Sequence, residues 1–337
     1  MKRIAIVGAG AIGGLLAARL EAAGGGVTVV ARGANLAALQ RDGITLIEPQ
    51  ARRLVPLRAV PSLAECGDID AILLTVKAHQ VAPIAAELGA ASARGAVVVT
   101  MQNGIPWWYF HRHGGALSDT QLHTVDPGGA IRRSIDPAQV IGSVVYPAAE
   151  LAAPGVVVWI EGNRFSLAEL DGRATERLAA LCTRLTDAGF KAPASADLRA
   201  ELWLKLWGNL SFNPISALTH ATLAGICRHT HGRDLAAAMM REAQAVAEQL
   251  GVRFRISVDK RIAGAAAVGE HKTSMLQDVE HGRALELDAL LGSVAELGRL
   301  TNTPTPSIDA IYACTALLAT TLAEHGGALR ITAPAAI

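Results

Sequence analysis

Three polar side chains recur at helical spacing in an otherwise apolar stretch. Lys205, Asn209 and Asn213 stand at i, i+4 and i+8 within Leu202-Trp-Leu-Lys-Leu-Trp-Gly-Asn-Leu-Ser-Phe-Asn-Pro214. That spacing puts them on adjacent turns of one helix face. Leu202, Trp203, Leu206, Trp207, Leu210 and Phe212 surround them, so the polar stripe is expected to be partly buried and to need a polar partner or a ligand. An amine beside two amides suits a carbonyl group and its hydroxyl product, and a desolvated lysine can act as a general acid near neutral pH. The same residues also fit a plainer arrangement, a salt-bridged lysine with asparagines capping turns near Pro214. A buried amine calls for a carboxylate. Glu286 is the candidate, flanked by Ala284, Leu285, Leu287, Ala289 and Leu290. It is expected near the middle of a helix that starts at Ser274, with Gln277 completing a capping box, and runs on through Leu276, Val279, Leu287, Leu291 and Val294.

A second chemical signature lies at the N-terminus. Gly8-Ala9-Gly10-Ala11-Ile12-Gly13 follows a β-rich run and opens an amphipathic segment with Leu15, Leu16 and Leu20. In that context GxGxxG means a tight turn, close approach of backbone to a pyrophosphate and close packing of helix on strand. The helix N-terminus then faces the phosphates. The second strand ends in Val29-Val30-Ala31-Arg32, where an acid would bind a ribose 2′-hydroxyl and select NAD. A cation at that place suits a 2′-phosphate, so the expected cofactor is NADP. Lys77 and Asn103 follow two further apolar runs and should emerge at the same sheet edge.

The elements that must position these groups fall into two textures. Up to about residue 170, β-rich runs (3–7, 27–31, 69–76 and 96–101) alternate with Ala/Leu-rich helical segments, as in βαβ units around a parallel sheet. Three more runs, 140–146, 155–160 and 164–170, lack long intervening helices and are expected to extend the sheet in antiparallel fashion. After residue 173 the pattern is helical throughout. The expected division is a dinucleotide-binding domain over 1–190 and a helical substrate domain over 191–337, with Asp197 as an N-cap.

Composition narrows the function classes. With 51% hydrophobic and 18% charged residues in 337, the chain can bury a large core and is not intrinsically disordered. A net charge of +1 provides no field to hold nucleic acid. Cys66, Cys182, Cys227 and Cys314 are too scattered for a disulfide framework or a CxxC site and are expected to be reduced and mostly buried. The pairs His111/His113 and His229/His231 lack a third ligand at a recognisable spacing, so no metal is expected. The basic start Met1-Lys2-Arg3 is followed by a glycine-interrupted run, unlike a secretory signal, and no uncharged apolar run of about 18 residues occurs. A cytoplasmic protein that does not engage membranes is expected, with a twofold homodimer as the commonest assembly.

Taken together, the glycine turn, Arg32, Lys77, Gln102-Asn103-Gly104, the 202–214 helix and Ser274-Met-Leu-Gln-Asp278 with Glu286 resemble the ketopantoate reductase (2-dehydropantoate 2-reductase) family, in the right order across both halves of the chain. The resemblance implies an α/β fold, with an N-terminal Rossmann-type domain followed by an all-α C-terminal domain like that of 6-phosphogluconate dehydrogenase. It implies reduction of 2-dehydropantoate to (R)-pantoate with NADPH, a step of pantothenate and coenzyme A synthesis. By the same resemblance Lys205 is the general acid and Glu286 holds the substrate hydroxyl and sustains the lysine's charge. Asn209 and Asn213 bind substrate, Ser274 its carboxylate, and Asn103 the ketone end near the nicotinamide. Gly8, Ala9, Gly10, Ala11, Ile12, Gly13, Arg32, Lys77 and Asn103 would bind the cofactor.

One departure from shorter family members is the segment 105–139, which carries Trp107-Trp108-Tyr109-Phe110 close to Asn103. Such a tetrad could form a lid or apolar wall that admits a bulkier 2-oxo acid, or a packed aromatic plug. A non-catalytic NADP sensor on the same fold is a further alternative, which the intact Lys205, Asn209, Asn213 and Glu286 oppose.

Overall fold

The structure, a computed structural model, describes residues 1–328 and divides into two compact units, Met1–Leu198 and a second beginning at Arg199. In the first unit the elements are β1 (Ile4–Val7), α1 (Ala11–Ala22), β2 (Val27–Val30), α2 (Gly33–Asp42), β3 (Ile44–Glu48), β4 (Ala51–Val55) and β5 (Arg58–Val60). They are followed by β6 (Ala71–Leu74), α3 (Ala85–Ala93), β7 (Val97–Thr100), α4 (Ala130–Ser134), β8 (Val140–Val145), β9 (Ala148–Ala153), β10 (Val156–Glu161), β11 (Phe165–Glu169) and α5 (Glu176–Asp187). Seven strands form one sheet in the order β11-β8-β7-β6-β1-β2-β5. All its pairings are parallel except β11 with β8. β1, β6 and β7 are buried at every position, the pattern of strands covered on both faces.

Four more strands make a second sheet, β4-β3-β10-β9, which packs against α1. A helix between two sheets has no solvent face, and α1 accordingly buries Gly13 through Ala18 and Leu20. At Gly14 a Cβ would stand 2.6 Å from Val157 Cγ2 and 2.9 Å from Ile44 Cδ1, so the second sheet approaches to glycine distance. Arg19 leaves this sandwich with its guanidinium 4.8 Å from the Trp159 ring centre and paired with Glu48 at 2.8 Å.

Three expectations need correction here. The 140–145 strand joins the sheet in parallel, with Val140 beside Val98, and only β11 is antiparallel. The 155–160 run leaves that sheet for the second one, where β10 pairs with β3 in parallel and β9 in antiparallel fashion. The division falls after Leu198 rather than after residue 190, because the intervening chain bonds to β11: Phe165 N–H donates to Lys191 O at 2.8 Å, and Ser195 N–H to Leu167 O at 2.7 Å.

The second unit is helical. Its elements are α6 (Leu198–Thr219), α7 (Leu223–Arg228), α8 (Thr230–Gln249), α9 (Val258–Val268), α10 (Ser274–Glu280), a π-helical turn over Asp288–Gly292, α11 (Ser293–Leu300) and α12 (Pro306–Glu324). α6 is anchored by Trp203 and Trp207, both fully buried. The Trp207 indole donates to Met240 O on α8 at 2.8 Å and stacks on Phe254 at 4.0 Å.

The helix expected from Ser274 to Val294 is broken. α10 stops at Glu280, and Gly282 turns the chain at φ +62. A Cβ there would fall 2.6 Å from Gly327 O. Glu286 therefore sits in a non-helical stretch just before the π turn. The cap is Thr273, whose hydroxyl accepts from Leu276 N–H at 3.2 Å, and Ser274 is the first helical residue. α12 alone among the described helices has the length and composition of a membrane span, at mean hydropathy 1.3 with 17% of it buried. Of the cysteines only Cys66 is buried; Cys182 and Cys227 are half-buried and Cys314 is exposed.

Candidate active site

In the first unit the glycine turn, Arg32, Lys77 and Asn103 all follow the carboxyl ends of adjacent strands. Val7 is level with Val30 and Leu74, and Leu74 with Thr100, so the four segments leave the sheet at one height. Four neighbouring strands place them along an edge of roughly 15 Å. The strand order reverses between β1 and β6, which is where ligands bind in such sheets.

The turn is built by contacts that exclude side chains. Gly8 has φ +107, and a Cβ on it would lie 2.9 Å from Val76 N. A Cβ on Gly13 would lie 1.9 Å from Gly8 O, so helix and strand touch there through backbone alone. Gly10 is different: a Cβ on it would meet no protein atom within 4 Å. Its position at the N-terminus of α1, with open space in front and the first N–H groups of the helix behind it, fits a phosphate. Arg32 is exposed at the start of α2.

Three positioning residues of this edge are absent from the sequence-derived site. The Thr75 hydroxyl donates to Gly8 O at 2.7 Å and lies 3.0 Å from Val7 O. The Gln102 amide donates to Leu74 O at 2.6 Å and to Val76 O at 3.1 Å, tying the ends of β6 and β7 together. The Asn35 amide donates to Ala9 O, while its oxygen accepts from Gly155 N–H at 2.7 Å. Thr75 and Gln102 carried a faint signal as polar residues closing apolar runs; Asn35 carried none.

In the second unit α6 presents Lys205 and Asn209, both half-buried, and Asn213, which is 7% exposed. Asn213 Nδ2 lies 3.5 Å from Ser274 Oγ, so the third turn of the polar stripe meets the start of α10. Ser274 is exposed there, and its place in the first turn of a helix favours a carboxylate. Burial pulls the Lys205 ammonium down to about 8, and the Glu286 carboxylate opposes that pull. Glu286 thus acts electrostatically on the amine, from the non-helical residues that precede the π turn.

The aromatic tetrad is a plug inside the first unit. Trp107, Trp108, Tyr109 and Phe110 are between 0 and 7% exposed. The Trp108 indole donates to Thr100 Oγ1 at 2.9 Å, and its ring fills the space over Gly142. Of the histidine pairs, His111 lies 3.2 Å from Asp119, and His229 accepts from Gly232 N–H. Among the described residues no three of His, Cys, Asp and Glu gather as metal ligands. A groove lined by Ala18, Arg19, Ala22, Arg53 and Gly189 opens near the far end of α1, and none of the residues above line it.

Comparison with known proteins adds three findings. Residues 4–172 match the family described as ketopantoate reductase PanE/ApbA, and residues 197–319 match that of its C-terminal part. The chain is 54% identical over 318 residues to a 2-dehydropantoate 2-reductase of Mesorhizobium japonicum, covering 94% of this chain and 98% of that protein. A solved structure from Ralstonia solanacearum MolK2 that carries the ketopantoate reductase name superposes with a TM-score of 0.90 at 39% identity, over 95% of this chain and 98% of its own. The fold is also that of a D-mandelate dehydrogenase solved with NADH and anilino(oxo)acetate, at a TM-score of 0.80, 20% identity, and 95% and 99% coverage.

Proposed function

Because this chain belongs to the ketopantoate reductase family, we propose that it reduces 2-dehydropantoate to (R)-pantoate with NADPH. The observation that carries the reading is Lys205, half-buried on the polar stripe of α6, with its ammonium drawn down to about 8 by burial against the support of Glu286. An amine with that value is protonated at neutral pH and still acidic enough to give its proton up. When bound, NADPH supplies the hydride that C2 receives. Lys205 Nζ donates a proton to the carbonyl oxygen, which stays on C2 as the product hydroxyl, and the neutral amine takes a proton back from solvent. Glu286 sustains the charged form of the lysine between turnovers and accepts from the product hydroxyl. Asn209 and Asn213 orient the substrate, with Ser274 taking its carboxylate at the start of α10 and Asn103 the ketone end.

Gly8 to Gly13 would hold the pyrophosphate, with Gly10 leaving the room for it. Arg32 supports the choice of NADPH, since its exposed guanidinium after β2 offers a fork to a 2′-phosphate where an acidic residue would repel it. Lys77 adds a second cation on that edge. Burial of the tetrad removes the reason for proposing a bulkier substrate. On this reading the enzyme works in the cytoplasm as a homodimer, and sedimentation would read its mass.

The test is the loss of NADPH absorbance with 2-dehydropantoate, with NADH as comparison. Saturable turnover that prefers NADPH is expected, abolished in Lys205→Ala with NADPH affinity retained. Turnover that survives Lys205→Ala, or tight NADPH binding without turnover, overturns the reading.

A further inference from the structure

Glu286 lies in a chain segment whose own secondary structure does not hold it. Residues 283–286, between the turn at Gly282 and the helical Leu287 that enters the π turn, have no regular secondary structure. Both ends of that segment are fastened to α12 or its C-terminal turn. At one end the Gly282 backbone lies against Gly327, close enough that a Cβ at either position would meet the other at about 3 Å or less. At the other end the Tyr312 hydroxyl donates to Asp288 Oδ1 at 2.6 Å. The segment therefore runs back along α12, with Leu285 and Leu287 buried on either side of Glu286. α12 is in turn fixed at its start by Glu242 of α8, which accepts from Ser307 and Ile308 N–H at 2.9 and 3.0 Å. The π turn widens the helix beside this clasp, a feature that recurs at functional sites.

We propose that Tyr312 is a positioning residue for the reaction: by holding Asp288, its hydroxyl fixes the segment that presents Glu286 to Lys205. The proposal rests on the reading of Lys205 as the proton donor. Burial and the bond to Asp288 push the Tyr312 phenol up to about 12, so it remains a donor throughout the range in which Lys205 titrates. The charged groups facing the phenol are Asp288 and Arg299 of α11. Those facing α6 at Lys205 are Glu286 and, against Gly208 one turn on, the Arg261 guanidinium of α9.

Tyr312→Phe removes the bond while keeping the ring. It is expected to lower kcat about tenfold, since small misplacements of a catalytic group are expensive, with NADPH affinity unchanged. Loosened support from Glu286 leaves Lys205 less protonated, so the alkaline limb of kcat should move to lower pH. Asp288→Ala should match it, the double variant should be no worse than either single one, and Asp288→Asn, whose side-chain oxygen still accepts, should restore both readouts. The chain has six lysines, so Lys205 Nζ can be titrated directly by NMR of 13C-lysine protein, its signal assigned by loss in Lys205→Met. Tyr312→Phe should lower that midpoint. An unmoved Nζ midpoint, additive effects in the double variant, or a loss of thermal stability with an unmoved pH profile overturns the proposal. Absence of turnover in the parent protein would overturn the functional reading alone, because the Nζ titration decides this one without substrate.

Discussion

Replacing Lys205 by Met should make the protein more stable at neutral pH and inactive. In the folded chain the amine falls from the ordinary 10.5 to about 8. At 1.36 kcal/mol per unit that gap corresponds to roughly 3 kcal/mol of unfavourable ammonium burial. The sign follows from proton counting. Below about 8 both folded and unfolded chains hold the proton, and the whole penalty stands. Between about 8 and 10.5 the unfolded chain binds more protons than the folded one, so stability rises with pH. Above that range the penalty is gone. Methionine has no charge to bury, so Lys205→Met should exceed the parent at pH 7 and lose its advantage progressively toward pH 10.5. The attraction of Glu286 is already contained in the folded value of about 8, so roughly 3 kcal/mol at pH 7 is the net expectation. Urea unfolding at a series of pH values reads it, with Trp203 and Trp207 as fluorescent reporters in the same helix; comparing the two proteins cancels every other titrating group. A stability difference that stays flat from pH 7 to 10.5 refutes the account of Lys205, as does a variant that still turns substrate over.

Other substitutions test the remaining parts. Gly13→Ala forces a methyl into Gly8 O and should weaken NADPH binding by about ten- to a hundredfold in a fluorescence titration. Arg32→Asp should cost NADPH about tenfold or more in kcat/KM relative to NADH, measured side by side. Glu286→Gln withdraws the one influence that raises Lys205, so the alkaline limb of the rate profile should shift to lower pH and not to higher. Trp108→Phe strips Thr100 of its indole partner inside the plug and should lower stability by about 1 kcal/mol, with kcat unchanged in the absorbance assay.

Legibility in the sequence followed how local each determinant was. β1, β6 and β7 are short runs of apolar residues bounded by turns, and the glycine turn needs only its own residues to be recognised. The second sheet was hidden because its strands carry weak patterns: β4 reads Ala-Arg-Arg-Leu-Val and β9 is mostly alanine. Its central pairing joins Thr45 to Val156, far apart in the chain. The break before Glu286 was missed because the apolar residues on either side keep a helical rhythm, and only Gly282 marks the turn. The cap was misplaced by one position since Thr273 and Ser274 have the same capping chemistry. Lys205, Asn209 and Asn213 were readable as a stripe, whereas the approach of Glu286 and Ser274 to it depends on packing that no spacing encodes.

The Asn35 side chain joins two places 146 residues apart, the carbonyl of Ala9 in the glycine turn and the amide of Gly155 before β10. A nascent chain can form β1, α1 and β2 early, but its phosphate turn lacks this brace until β10 has been made and docked beside β3. Closing so long a loop is the slow kind of folding event. During synthesis at about 5–20 residues per second, an interval of roughly ten seconds separates the appearance of the turn from its completion. Nucleotide arriving in that interval meets an unfinished site, so the cofactor is expected to select chains that have already assembled both sheets.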